Sequence, residues 1–210
     1  KRSSARPEPA RSAPTAPAEH ASPAAPDGII IRRATLADVP AIAGVMADYV
    51  IDGTLLPRPV GELYQCVREF HVAEARGEIV ACAALRVLWD DLGEVRSLAV
   101  LPNHHGRGLG QALVTAVLDD ARALALPRVS ALTREQPFFE RCGFAVVPRD
   151  TLPRKVWTDC VRCPRRHACD EVAVVLDLVP GASEAAAAAS RSWPLPIPHL
   201  REPSDALPIV

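Results

Sequence analysis

Lysine, methionine and aromatic side chains are scarce in this chain, which has one Met, two Lys, two Tyr, three Trp and four Phe among 210 residues. Charge of one sign is lacking too: 24 Lys and Arg stand against 25 Asp and Glu. Phosphate neutralisation needs a basic surplus, so a general nucleic-acid binder is excluded. No run approaches 18 apolar residues, which argues against a membrane-spanning helix. The first 28 residues hold no apolar block of the secretory kind, and the expected compartment is the cytoplasm. Six Cys in such a chain are not a disulfide framework; they are to be read as packing, metal or redox groups.

What is abundant is proline, and it is uneven. Residues 1–28 and 180–210 hold six each of the 21 Pro, with Ala-rich surroundings and little large apolar material. Such composition buries too little surface to offset chain entropy. Two disordered tails, 1–28 and 180–210, are therefore expected around one domain at 29–179. Within it, β-branched runs and periodic apolar positions predict a strand at 29–33, a helix from Val39 capped by Thr35 or Asp38, and a second helix from Val60 to Phe70. Strands follow at His71–Ala75 and Ile79–Leu88, joined by a tight turn at Arg76–Glu78, and at Glu94–Val100. A long helix from Gly108 to Ala125 carries a stripe of Leu109, Leu113, Val117 and Leu124. A strand at 128–132, a short helix at 137–142 and strands at 144–147 and 171–178 complete an α/β domain around one mixed sheet flanked by helices.

The strongest local signal is a strand running into Gly106-Arg107-Gly108-Leu109-Gly110 and then a long helix. Glycines there allow close backbone approach to a ligand, and the helix start favours an anion such as a pyrophosphate. No Lys-Ser/Thr follows as in a Walker A loop, and the spacing is not that of a Rossmann loop. By itself the loop is equally an ordinary strand-to-helix turn.

Leu98 through Leu113, with Phe138-Phe-Glu-Arg-Cys-Gly-Phe144 downstream, resembles the acetyl-CoA motif of the GNAT superfamily of N-acyltransferases. More narrowly, Leu55-Leu-Pro-Arg58, Trp89 to Glu94, Ala131-Leu-Thr133 and Leu152 through Glu171 resemble the short, stand-alone amino-acid N-acetyltransferases of the N-acetylglutamate synthase type. The resemblance covers 29–179. It implies the GNAT fold and direct transfer of acetyl from acetyl-CoA to the α-amine of glutamate, the first step toward arginine. It implies that the pyrophosphate lies on the N–H groups of His105, Gly106, Arg107, Gly108, Leu109 and Gly110. Leu98, Ala99 and Val100 would pair with the pantetheine, and the Val100 N–H would polarise the thioester carbonyl. Two positions depart from the family: His105 stands where Gln or Arg is usual, and Phe139, still expected against the cofactor, where many relatives carry a Tyr that acts as general acid.

An amino acid's amine is mostly protonated at pH 7, so a base is needed. Glu94 is the candidate, on the face that period-two alternation shares with Arg96, Leu98 and Val100; the competing reading is a surface pair with Arg96. A dicarboxylate acceptor needs cations, for which Arg58 and Arg96 come first, with Lys155 reaching from the other side and Arg86 and Arg134 weaker. Any of the 22 Arg is equally an exposed solubilising residue.

Cys160, Cys163, His167 and Cys169 have the ligand types of a structural zinc, against which stands a reading as reduced thiols packing a loop. Cys66 and Cys82 read as core, and Cys142 as having no covalent role. The expected partners are small molecules, acetyl-CoA and an amino acid, and a homodimer is compatible with this reading. Two alternatives remain open: a GNAT enzyme with another acceptor (glutamine, a polyamine, a drug amine or a protein N-terminus), and a non-catalytic GNAT-like module bearing zinc.

Overall fold

The computed structural model describes residues 28–152, 160, 163 and 165–191; the expected N-terminal tail up to residue 27, Lys155 and everything from 192 onward lie outside them. One seven-stranded sheet organises the molecule. Its strands are β1 (Ile29–Arg33), β2 (Phe70–Ala75), β3 (Glu78–Trp89), β4 (Leu92–Val100), β5 (Arg128–Thr133), β6 (Ala145–Val147) and β7 (Val172–Asp177). They lie in the order β1-β2-β3-β4-β5-β7-β6. All neighbours are antiparallel except β4 and β5, which are parallel and pair only at Gly93↔Val129 and Glu94↔Ser130. Beyond Glu94 the two strands part, and this opening positions the site.

Helix α1 (Val39–Ile51) and the short α2 (Val60–Gln65) cover one face of the sheet, where Ile42, Met46, Leu63, Phe70, Cys82 and Ala99 form a core. Helix α3 (Leu109–Ala123) and α4 (Gln136–Arg141) cover the other, where Val80, Leu85, Val95, Leu113, Val117 and Phe139 pack together. Fully burying an aliphatic or aromatic side chain of this size contributes roughly 1.5–3 kcal/mol. Leu113→Ala in such a core costs about 2–5 kcal/mol. Among the described residues no helix is long and apolar enough to cross a membrane.

Local chemistry accounts for the entry to α1. The Asp38 carboxylate accepts the Thr35 N–H at 2.7 Å and its O–H at 2.8 Å, and takes a bidentate grip from Arg32 at 2.7 and 2.9 Å. Pro40 sits in the first turn, where no intrahelical N–H is needed. The β2–β3 turn has positive φ at both Arg76 (54°) and Gly77 (84°), as a two-residue hairpin loop requires.

Several expectations are corrected. The second helix stops at Gln65, because Phe70 is already the first residue of β2 and is wholly buried under α1. Leu124 is 59 % exposed, since α3 has ended before it, so it does not belong to the apolar stripe. A helix α5 (Ala182–Arg191) stands where composition predicts a disordered tail. Alanine is the best helix former. The Asp177 carboxylate also tethers this helix, accepting the Ser183 N–H at 3.0 Å and O–H at 2.5 Å.

Candidate active site

Strand β4 does not alternate throughout. Ala84 pairs with Arg96 and Cys82 with Ala99, so Ser97 and Leu98 together oppose Ala83, and Ser97 takes φ 54°. This is a β-bulge, which adds one residue and reverses the facing of everything after it. Glu94 and Arg96 therefore share the α1 side, whereas Leu98 and Val100 pack toward the α3 side and Ala99 toward α1. The expectation that all four share one face holds for Glu94 and Arg96 and fails for Leu98 and Val100. The bulge decides this, and alternation alone cannot reveal it.

After the bulge, Leu101 N–H donates to Val80 O at 2.8 Å, which makes Val80 and Leu101 a hydrogen-bonded pair. In an antiparallel ladder the neighbouring pair, Ala81 and Val100, is then non-hydrogen-bonded across β3. The Val100 N–H and C=O accordingly face away from β3, toward the gap that β5 has vacated.

That gap is a cavity of about 790 Å³, within the range of small-ligand sites. One end is the glycine loop: Gly106 and Gly108 have φ 73° and 76°, and a Cβ on either would meet nothing, so glycine is required there for conformation. Gly110 is closely approached: a Cβ there would lie 3.1 Å from the Phe138 ring, which would have to shift by a few tenths of an ångström. Gly108 is the N-cap of α3, whose first N–H groups have no partner within the helix. Of the residues expected to hold acetyl-CoA, Leu98, Ala99, Val100, His105, Gly106, Gly108, Leu109, Gly110 and Phe139 line the cavity, and Arg107 does not.

The other end is formed by Asp52, Thr54 and Leu55 after α1, by Arg96 from β4, and by Thr133, Arg134, Glu135 and Glu171. Glu94 does not line it. It is 4 % exposed and sits at the last rung of the β4–β5 pairing, the apex of the opening. Arg58 stands one layer behind. Its guanidinium donates to Glu62 at 2.8 and 3.1 Å, to Cys66 Sγ at 3.0 Å and to Ser97 Oγ at 3.3 Å, and lies 5.7 Å over the Phe70 ring. Arg58, Arg86 and Arg96 all lie near Glu69, whose carboxyl is pushed up by burial and drawn back by these three charges.

Sequence reasoning missed Tyr49, Thr133, Glu135 and Glu171, and ranked Arg134 only as a weaker acceptor cation. Tyr49 falls on the apolar stripe of α1 and reads as core. Thr133 and Arg134 were detectable in principle, because ligands gather at the carboxyl ends of parallel strands that diverge. Phe139 is buried against Phe138 and Phe144 in edge-to-face contacts at 5.2 Å, and offers no hydroxyl.

The zinc expectation is corrected. Cys160, Cys163, His167 and Cys169 are all described, and no group of three or more His, Cys, Asp or Glu among the described residues is arranged to hold a metal. Cys163 and Cys169 instead line a small crevice beside Gly53 and Arg134, and Cys169 Sγ lies 3.5 Å from Glu171. Closeness in sequence does not turn side chains toward one point. Cys82 is fully buried, as expected, which pushes its thiol up to about 12, whereas Cys66 is half-buried.

A parallel pair that splays beside a bulged strand, with a glycine loop at the start of the following helix, defines an acyl-CoA N-acyltransferase fold. The chain belongs to the acetyltransferase (GNAT) family, whose model matches residues 47–144. It is 37% identical over 151 residues to an uncharacterized N-acetyltransferase of Chlorobaculum tepidum, covering 70% of this chain and 96% of that protein. It is 42% identical over 136 residues to the amino-acid acetyltransferase of Mycobacterium tuberculosis, covering 63% of this chain and 78% of that protein. Among solved structures, a Mycobacterium tuberculosis protein in complex with CoA and NLQ superposes with a TM-score of 0.63 at 35% identity, over 71% of this chain and 99% of that one. The N-acetylglutamate synthase of Neisseria gonorrhoeae, complexed with coenzyme A and N-acetyl-glutamate, gives a TM-score of 0.63 at 29% identity, over 71% of this chain and 35% of that one.

Proposed function

We propose that this protein transfers acetyl from acetyl-CoA to the α-amine of L-glutamate, the first step of arginine biosynthesis. The observation that carries the reading is one continuous cavity with a glycine-rich helix start at one end and Arg96 and Arg134 at the other. The diphosphate of acetyl-CoA suits the loop N–H groups, and a carboxylate suits a guanidinium. The acyl arm lies between, along Leu98 to Val100.

Glu94, behind the cavity wall at the apex of the opening, takes a proton from the acceptor ammonium through one water. The neutral amine adds to the thioester carbonyl, and the Val100 N–H, which faces the gap, donates to the oxyanion as it forms. Collapse breaks the C–S bond and releases the thiolate, which takes up the proton that the new amide nitrogen sheds. Arg96 binds an acceptor carboxylate from the cavity wall; Lys155, the further acceptor cation implied by the resemblance, lies outside the described residues. Arg58 acts from behind the wall by holding Ser97 of the bulge.

A second reading, glutamine as acceptor, is favoured by one feature. Arg134 is engaged by Asp170 at 3.0 Å, and Asp52, Glu135 and Glu171 share its end of the cavity, which suits a neutral amide better than a second carboxylate. Steady-state release of CoA with L-glutamate, L-glutamine and spermidine in parallel separates the readings. Turnover with glutamate at the highest kcat/KM is expected. Turnover with spermidine and neither amino acid would overturn both amino-acid readings, and absence of acetyl-CoA binding by calorimetry would overturn the enzyme site itself.

A further inference from the structure

One group of cavity residues is used neither by the acceptor reading nor by the glycine loop itself. Tyr49, near the end of α1, donates its phenol O–H to Val100 O at 2.6 Å. The His105 ring reaches the same carbonyl, with Nε2 at 2.8 Å from Val100 O and 2.9 Å from the Tyr49 oxygen. A backbone carbonyl only accepts, so Nε2 carries a proton. The single phenol proton is already committed to Val100, so the Tyr49 oxygen accepts from Nε2 as well. Nδ1 is then the ring nitrogen that remains for other contacts.

These three atoms join α1, the end of β4 and the residue that opens the glycine loop. A Cβ at Gly106 or Gly108 would have nothing within 4 Å, so the loop is open on that side, and its next anchor is Leu109, buried in the core at the start of α3. The His105 backbone adds one bond, its N–H to Pro102 O at 3.2 Å. We propose that Tyr49 and His105 form a positioning pair that sets the glycine loop at the height where its N–H groups meet the diphosphate of acetyl-CoA. His105 acts through a bond to the protein's own backbone, so its replacement of a longer polar residue trades a side-chain contact with phosphate for a fixed loop. The proposal rests on the acetyl-CoA reading and is independent of which amine accepts the acetyl group.

The test compares acetyl-CoA with acetyl-pantetheine, which keeps the thioester arm and lacks the diphosphate, in Tyr49→Phe, His105→Ala and the double variant. Tyr49→Phe removes one hydroxyl and keeps the ring, and His105 is exposed, so both variants fold. The expected result is a rise of about five- to tenfold in the KM for acetyl-CoA in each single variant, with no further rise in the double. The kcat/KM for acetyl-pantetheine, which has no diphosphate to meet the loop, falls several-fold less than that for acetyl-CoA. Equal losses on both thioesters, additive losses in the double variant, or no loss on acetyl-CoA would each overturn the proposal. Failure of the acetyl-CoA reading is distinguishable, because the wild-type protein would then turn over neither thioester.

Discussion

Replacing Arg58 by Ala tests whether this side chain is a strut behind the acceptor site or a contact within it. Its side chain is 6 % exposed and spans from Glu62 to Ser97 across the Phe70 ring. The Glu62 pair is an i,i+4 pair with a 45 % exposed partner, so solvent screening limits it to about 0.5 kcal/mol. The guanidinium over Phe70 adds about 0.5–2 kcal/mol. The 3.3 Å bond to Ser97 adds about 0.5–1 kcal/mol. Arg58→Ala should therefore cost about 2–3 kcal/mol. In a domain of this size that lowers Tm by roughly 5–10 °C. The bulge loses its tie to the 53–59 loop at the same time, so the acceptor KM should rise together with the fall in Tm. Arg96→Ala, from the cavity wall, should raise the acceptor KM with a much smaller change in Tm. Calorimetric melting and steady-state kinetics on both variants decide the matter: an unchanged Tm with a raised KM for Arg58→Ala would refute the strut and put Arg58 in direct contact with the acceptor.

Other outcomes follow from the same structure. Glu94→Gln should lower kcat at pH 8 by about 10²–10⁴ with little change in the KM for acetyl-CoA, and an unchanged kcat would remove Glu94 as the base. Arg32 holds the Asp38 carboxyl well below the usual carboxylate range, so the unfolded chain takes up the proton first as pH falls. The stabilisation is complete at neutral pH and drains below about pH 4, the unfolded-state value. Asp38→Asn should thus melt lower than wild type at pH 7, by about 1–3 kcal/mol of stability, with the gap closing in acid; a gap independent of pH would contradict this. Gly108→Ala should cost about 1–2 kcal/mol from its φ of 76° and weaken acetyl-CoA binding, which melting and calorimetry report separately. Dialysis against a strong zinc chelator should leave Tm unchanged, since the cysteine segment forms no metal group among the described residues.

The glycine loop, the element order and the GNAT resemblance are legible in the sequence because each is local: a φ that only glycine tolerates, an apolar period, a run of matching residues. That Gly108 caps α3 follows from the same kind of signal. The boundaries that failed have non-local causes. Phe70 leaves the helical stretch because its ring is drawn under α1, and 182–191 becomes a helix because Asp177, on the last strand, receives Ser183.

By itself, then, the sequence determined the fold family, the strand that feeds the loop and the side chains available for acetyl transfer. Tertiary structure alone decided which of them meet. A bulge at Ser97 turned Leu98 and Val100 away from the face of Glu94 and Arg96, the splay of β4 from β5 opened a cavity at their ends, and Tyr49 came from α1 to close on His105. The physical reason is that propensity and spacing act over one turn or one strand. A bulge register, the parting of two parallel strands and the convergence of thiols on an ion depend on contacts between segments far apart in the chain.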